Sequence, residues 1–189
     1  MILRGLWLLA QGKASGIKEF NNSLNDFTAS LAPLIAFPLV GAGISILGGA
    51  CQLAIIGFLS RLCAVLVLPL IVHEFARRSG RESLWLRTAT ALDWSFWVLV
   101  PLLLIAAFAG AAMVEAGLSM PQGELIAIGI MGAYLLWYHW IIVRAGLGFG
   151  AVQAALLVAI SSIAISLFTV GPMLLDYAYY GQHVLPPGH

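Results

Sequence analysis

The chain has 189 residues, of which 61% are hydrophobic and only 9% are charged, whereas about a quarter of the residues in an ordinary soluble domain are charged. A soluble domain of this size could not hide so much apolar surface, so we expect an integral membrane protein. The net charge of +1 and the absence of a long basic run argue against nucleic acid as a partner, because phosphate binding requires clustered Lys and Arg.

The first 29 residues mix apolar and polar side chains. Leucines and a tryptophan are interspersed there among the basic residues Arg4, Lys13 and Lys18, a composition typical of a segment that lies on a membrane surface. We therefore assign residues 1–29 to an amphipathic surface segment that leads into the membrane domain.

Five apolar runs follow, each long enough to cross about 30 Å of hydrocarbon as an α-helix. The predicted spans are residues 31–47, 53–75, 92–113, 125–143 and 151–175. They indicate an all-α fold, a polytopic transmembrane bundle over residues 30–175 with an outer tail over residues 176–189. Helices are favoured because they satisfy every backbone polar group within one segment when water is absent.

Two short spacings resemble capping boxes, in which paired side chains satisfy the free N–H groups of a first helical turn. Ser23 with Asp26 predicts that the first membrane helix begins immediately afterwards, and Thr90 with Asp93 predicts the start of the third. At the end of the fourth span, Gly148 and the neighbouring glycines predict a tight turn.

The basic residues fall on one side of the predicted bundle. They precede the first span, follow the second and close the fourth, while the connections on the other side contain no Lys or Arg. By the positive-inside rule, this pattern predicts a cytoplasmic N-terminus and, with an odd number of spans, an outside C-terminus.

Arg61 is the main anomaly within the spans. It falls about eight residues, or ~12 Å, from the outer end of the second span, where an unpaired guanidinium is costly. The acids expected on the outer side include Glu115 and Asp176, which we name as its possible partners. Structural pairing or snorkelling to the outer headgroups is the simpler interpretation, and a substrate or proton pathway is the functional alternative.

Asp93 also bears a charge inside a span, near its inner end. As the third residue after a Thr90 cap, it would complement the positive end of the helix dipole, which is worth about 0.3–1 kcal/mol. The functional alternative is an intramembrane carboxylate that binds an ion or a proton.

The most charged stretch follows the second span. His73, Glu74, Arg77 and Arg78 have spacings that place them on one helix end, and Arg81 follows shortly after. Such i, i+3 and i, i+4 pairs most often form a solvated lattice of ion pairs. A contact surface for anionic lipid headgroups or for a protein partner is the alternative.

His139 lies in an aromatic run that is also typical of a membrane interface. Together with His73 on another helix, it could in principle ligate a haem or a chlorin. The sequence contains no cluster of metal ligands, so we expect no metal and no other cofactor. It also lacks a nucleophile–base pattern and a phosphate-binding glycine loop, so we do not expect an enzyme.

Small residues at helical spacing mark faces on which two helices can approach closely. They are Gly129 and Ala133 on the fourth span, and Ala155, Ala159, Ser162 and Ser166 on the fifth. We interpret them as packing faces, within the protein or against a neighbour, rather than as a pore lining, because spans with few polar groups are poorly suited to a water-filled path.

Two tryptophan-containing stretches, at the start of the third span and the end of the fourth, can be compared with a known family. They are Ala91-Leu92-Asp93-Trp94 and Trp140-Ile141-Ile142-Val143-Arg144-Ala145-Gly146-Leu147-Gly148. With the surface-lying N-terminus, they resemble small bacterial five-span proteins related to the Yip family of membrane proteins. The resemblance covers most of the chain and implies a bacterial inner membrane protein that acts in membrane organisation or partner binding rather than in a reaction.

The function expected from these features is that of an accessory or scaffolding subunit within a larger membrane assembly. Its partners would be the lipid bilayer and other membrane protein subunits. One alternative is a small transporter or channel that uses Arg61 with the outer carboxylates. The other is a haem- or pigment-binding subunit that uses His139 or His73.

Overall fold

The computed structural model describes residues 2–49 and 51–181, and their regular structure is helical. The helices are α1 (Ile2–Ala10), α2 (Leu24–Leu47), α3 (Cys51–Arg78), α4 (Trp85–Glu115), α5 (Met120–Leu147) and α6 (Ala151–Gly181), with short 3-10 segments at Ala14–Glu19 and Glu82–Leu84. Helices α2 to α6 each contain an apolar stretch long enough to cross a membrane. The predicted all-α bundle of five spans is therefore confirmed.

The chemistry of helix ends explains two of the observed boundaries. The backbone N–H of Asp26 donates to Ser23 Oγ over 3.1 Å, so the predicted cap is formed and α2 begins at the next residue. Gly148 adopts a left-handed conformation with φ of 64° at the end of α5, as the predicted turn requires. Helix α6 runs to Gly181, so the backbone of residues 176–181 continues the last helix, and the remainder of the predicted tail lies outside the described residues.

The predicted cap at Thr90 is wrong. Helix α4 begins at Trp85, directly after the 3-10 segment, so Thr90 lies inside the helix. Its hydroxyl donates to the carbonyl oxygen of Leu86 over 2.8 Å, a bond back to the preceding turn that satisfies a threonine in a helix interior. The Thr90–Asp93 spacing therefore lies within a helix and does not mark a helix start.

Contacts between distant segments show which helix ends lie together. Arg81 Nη1 donates to the carbonyl oxygen of Leu147 over 2.6 Å, and Asn22 Nδ2 donates to that of Ser83 over 2.6 Å. The start of α2, the end of α3, the start of α4 and the end of α5 thus share one end of the bundle. We call it the basic end, because all three basic segments meet there. The compartment that it faces stays a prediction.

The N-terminal segment packs into the side of the bundle. We call α1 and the 3-10 segment Ala14–Glu19 the N-terminal hairpin. Tyr134 and Tyr138 of α5 donate from their hydroxyl groups to the carbonyl oxygens of Ala10 over 2.8 Å and Leu6 over 3.3 Å. Since Tyr134 precedes the end of α5 by about 20 Å of helix, the hairpin extends well along that span.

This docking differs from the surface-lying segment that the sequence predicts. Leu6 and Leu9 are buried in the core, whereas Leu3 and Trp7 remain exposed, so only one face of α1 is free. The two arms of the hairpin approach closely because a Cβ at Gly16 would lie 2.6 Å from the carbonyl oxygen of Gly5. With Arg4 as its one charged residue, α1 has an apolar face that protein atoms can cover as well as lipid can.

The buried apolar core lies toward the basic end. It includes Val72, Leu92, Ile142 and Leu157, each at most 1% exposed, and the inner face of the hairpin joins the same cluster. Farther along α4, large side chains such as Phe108 are exposed. The buried core of the described bundle is thus concentrated toward the basic end, while large apolar side chains are exposed along the whole length of the spans.

Candidate functional site

A buried carboxylate joins α2 to α4. Asp93 and Ser30 are each 1% exposed, and the Ser30 hydroxyl donates to Asp93 Oδ2 over 2.9 Å while lying 2.7 Å from the carbonyl oxygen of Phe27. Asp93 lies eight residues, or about 12 Å, beyond the start of α4. It therefore occupies the interior of the bundle and does not complement a helix terminus as the sequence interpretation supposes.

A second polar contact joins α4 to α5. Ser95 Oγ lies 3.1 Å from His139 Nε2 and donates to the carbonyl oxygen of Leu92 over 2.5 Å. Ser95 and Asp93 are two residues apart and so point to different sides of α4. We call the residues of these two separate contacts, Ser30, Asp93, Ser95 and His139, the intramembrane polar cluster; together the contacts connect three spans.

Sequence reasoning found only half of this cluster. Asp93 and His139 attract attention because charged or titratable groups are rare within spans. Ser30 and Ser95 are ordinary serines in apolar runs, and the available signal is their isolation among apolar neighbours. A serine can satisfy its hydroxyl on its own helix, so its partner on another helix could not be named without the fold.

The surroundings of His139 do not suit a tetrapyrrole. The cavity beside it has a volume of about 20 Å³ and is lined also by Leu157 and Ser161, which is room for about one water molecule. Pockets for large ligands measure about 300–1,000 Å³. His73 is in a different place, with Nε2 3.3 Å from Glu82 Oε1 and its ring 4.9 Å from that of Trp85.

The two histidines are consequently not brought to one site. Their neighbours on α4, Trp85 and Ser95, are ten residues and about 15 Å apart along the helix. Within the part of the chain that the structure describes, no three His, Cys, Asp or Glu side chains lie close enough to hold a metal ion.

Arg61 points away from the bundle and is exposed on α3. Among the described residues it makes no ion pair, so the predicted pairing with Glu115 is not formed. Glu115 is itself exposed and ends α4, whereas Arg61 is ten residues, or about 15 Å, from the start of α3. The side chain of Asp176, the other named acid, lies outside the described residues.

The charged stretch at the end of α3 forms the predicted lattice. Glu74 Oε2 lies 2.7 Å from Arg77 Nη2, and Glu74 Oε1 lies 2.5 Å from Arg78 Nε. Arg81 is different, because besides its bond to the end of α5 its guanidinium carbon lies 5.1 Å from the centre of the Phe149 ring. These residues are thus engaged with one another or with the α5–α6 turn.

The sequence allows the small-residue faces to pack either within the protein or against a neighbour. Within the described bundle, most of these residues are not packed. Gly129, Ala133, Ala155, Ala159 and Ser166 are exposed, and Ser162 is half-buried beside the small cavity. Other small or apolar residues nearby on α5 and α6 are buried instead: Gly123, Ala127, Ala154, Val158 and Ser161. Contact with a neighbour is the interpretation that the geometry leaves open for the exposed set.

No protein-family model, curated protein or solved structure matches the chain. The resemblance to the Yip family therefore stays a prediction. The features that bear on function are the intramembrane polar cluster, Arg61 and the helix faces without intrachain neighbours.

Proposed function

We propose that the chain is a non-catalytic integral membrane protein that serves as an accessory or scaffolding subunit of a larger membrane assembly. The observation that carries this proposal is a set of glycines inside the spans that no other described helix contacts. A Cβ built at any of them would meet nothing within 4 Å: Gly41, Gly43, Gly57, Gly129, Gly132 and Gly171.

These glycines destabilise their helices, and no contact within the described chain compensates for that loss. A glycine in a helix interior is about 1 kcal/mol less favourable than an alanine. In lipid, small residues let helix backbones approach closely, and the resulting van der Waals packing is one of the forces that hold spans together. Within the chain this happens at Gly123, where a Cβ would lie 3.1 Å from the carbonyl oxygen of Gly110. The uncontacted glycines offer the same geometry to another subunit.

Affinity isolation of the full chain in a mild detergent tests the proposal. We expect a membrane protein to co-purify in fixed stoichiometry, and Gly129→Leu to reduce its recovery because the added side chain separates the two helices. Gly129→Ala is the matched control and should retain the partner. Both variants should keep the thermal stability of the isolated chain, since the site faces no intrachain atom. If the wild-type chain is present intact in the membrane and is nevertheless recovered without a partner, the proposal is contradicted.

A small transporter is the second candidate, favoured by the burial of Asp93 within a span. Buried intramembrane carboxylates are costly and commonly mark ion or proton paths. Flux into liposomes that contain the purified protein distinguishes the two functions. Under this alternative, Asp93→Asn and Arg61→Leu abolish flux while Glu74→Gln, at the bundle end, leaves it unchanged. Wild-type liposomes without flux above empty ones count against the alternative.

A further inference from the structure

A cavity of about 400 Å³ lies at the basic end of the bundle, between the N-terminal hairpin and the turn that joins α5 to α6. Its volume falls within the range of small-molecule pockets. Three parts of the chain form its walls: Gly12 and Ala14 from the hairpin, Ile141, Arg144 and Ala145 from α5, and Phe149 from the turn.

Arg144 gives this cavity a positioned positive charge. Its guanidinium carbon lies 5.1 Å from the centre of the Trp140 ring, and that ring is held by a bond of 2.9 Å from Trp140 Nε1 to the carbonyl oxygen of Ala151. Within the described residues, Arg144 forms no ion pair. Arg77 and Arg78 at the same end share the carboxylate of Glu74, whereas the whole charge of Arg144 is available to an anion.

The remaining features of the cavity favour an anion that carries an apolar part. Ile141 and Phe149 line it with apolar surface, and Lys13, which is exposed, lies between two lining residues. Helix α6 begins at Ala151, preceded by a glycine that has no side chain to cap it. Phe149, two residues before this helix start, lines the cavity, so the positive end of the α6 dipole lies near it, an arrangement that suits a phosphate group.

We propose that this cavity binds an anionic phospholipid by its phosphate headgroup. The phosphate pairs with Arg144, and the glycerol and the first part of an acyl chain lie against Ile141 and Phe149. Basic pockets at the ends of membrane helices are suited to this chemistry. A free phosphate ion would share the contact with Arg144 but would leave the apolar wall uncovered.

Native mass spectrometry of the full-length protein with equal amounts of phosphatidylglycerol and phosphatidylcholine tests the site. We expect preferential retention of phosphatidylglycerol. Arg144→Gln should lower that preference about fivefold, the factor that corresponds to about 1 kcal/mol for one basic residue at a membrane surface. Arg77→Gln is the matched control: it removes the same charge from the same end but does not line the cavity, and it should leave the preference unchanged.

Three outcomes would overturn the proposal. One is equal retention of the two lipids by the wild-type protein, and another is an Arg77→Gln effect as large as that of Arg144→Gln, which would indicate general surface charge. The third is thermal stabilisation by inorganic phosphate as great as that by phosphatidylglycerol, which would identify a free anion as the ligand. Should Arg144→Gln not fold, Ala14→Trp fills the cavity without a change of charge and should reduce retention of phosphatidylglycerol.

Discussion

Among single residues, Gly146 shows how closely α4 and α5 approach. A Cβ at this position would lie 2.8 Å from Cγ2 and 2.9 Å from Cβ of Thr88, so Gly146→Ala should destabilise the protein by about 1–3 kcal/mol through overpacking. Thermal unfolding in detergent measures the change. Gly132→Ala is the control, because its Cβ meets no atom, and it should leave the stability unchanged or raise it slightly. Equal effects at the two positions would contradict the described packing.

The hydrogen bond between Ser30 and Asp93 gives a second prediction at this scale. In a double-mutant cycle of Ser30→Ala and Asp93→Ala, we expect a favourable coupling energy of about 0.6 kcal/mol and no more than about 1.7 kcal/mol, the average and the maximum for hydrogen bonds between membrane helices. Unfolding of the four proteins in mixed micelles provides the measurement. A cycle of Thr169→Ala with Asp93→Ala should give no coupling, because Thr169 bonds within α6. Additive effects for Ser30 and Asp93 would show that their contact does not contribute.

Single residues also show which features can be predicted from the sequence and which cannot. The cap at Ser23 and the turn at Gly148 are predictable because each depends on residues a few positions apart. The contacts of Ser30 with Asp93 and of Ser95 with His139 are not, because their partners are 63 and 44 residues away. The free charge of Arg144 is equally hidden, since the sequence does not show which arginines find acidic partners.

Among the elements, the N-terminal hairpin departs most from the sequence-based expectation. An apolar helix with one charge suits both a lipid surface and a protein groove, and composition does not distinguish them. The tyrosines of α5 and the glycine contact between the hairpin arms favour the groove. The small-residue faces illustrate the same limit, because a helix rotated by one residue buries a different stripe.

Removing both tyrosine hydroxyls should loosen the hairpin. The double variant Tyr134→Phe and Tyr138→Phe keeps the rings but loses the bonds to the carbonyl oxygens of Ala10 and Leu6. Because each such bond is worth about 0.5–1.5 kcal/mol, hydrogen exchange of α1 should accelerate at least about fivefold. Exchange in the first half of α5 should not change. Unaltered exchange of α1 would show that its docking depends on apolar contact alone.

For the whole molecule, the contacts at the basic end show that the basic segments lie on the same side of the bundle. They do not show which compartment that side faces. The positive-inside rule predicts that this end is cytoplasmic. Cys51 begins α3 at the opposite end and is exposed, so a membrane-impermeant maleimide applied outside intact cells should label it. Cys51→Ser should abolish that labelling. In the same background, Ser79→Cys at the basic end should react only after permeabilisation, and the reverse pattern would invert the topology.

The bond between Ala10 and Tyr134 joins residues 124 positions apart, which has a consequence for biosynthesis. At about 5–20 residues per second, the ribosome completes the docking site for the hairpin roughly 6–25 s after it has made the hairpin itself. During that interval the part of its apolar face that α5 covers is open to lipid or to a chaperone. Nascent chains that stop before α5 should therefore leave the N-terminal hairpin more open to proteases than chains that extend past α5.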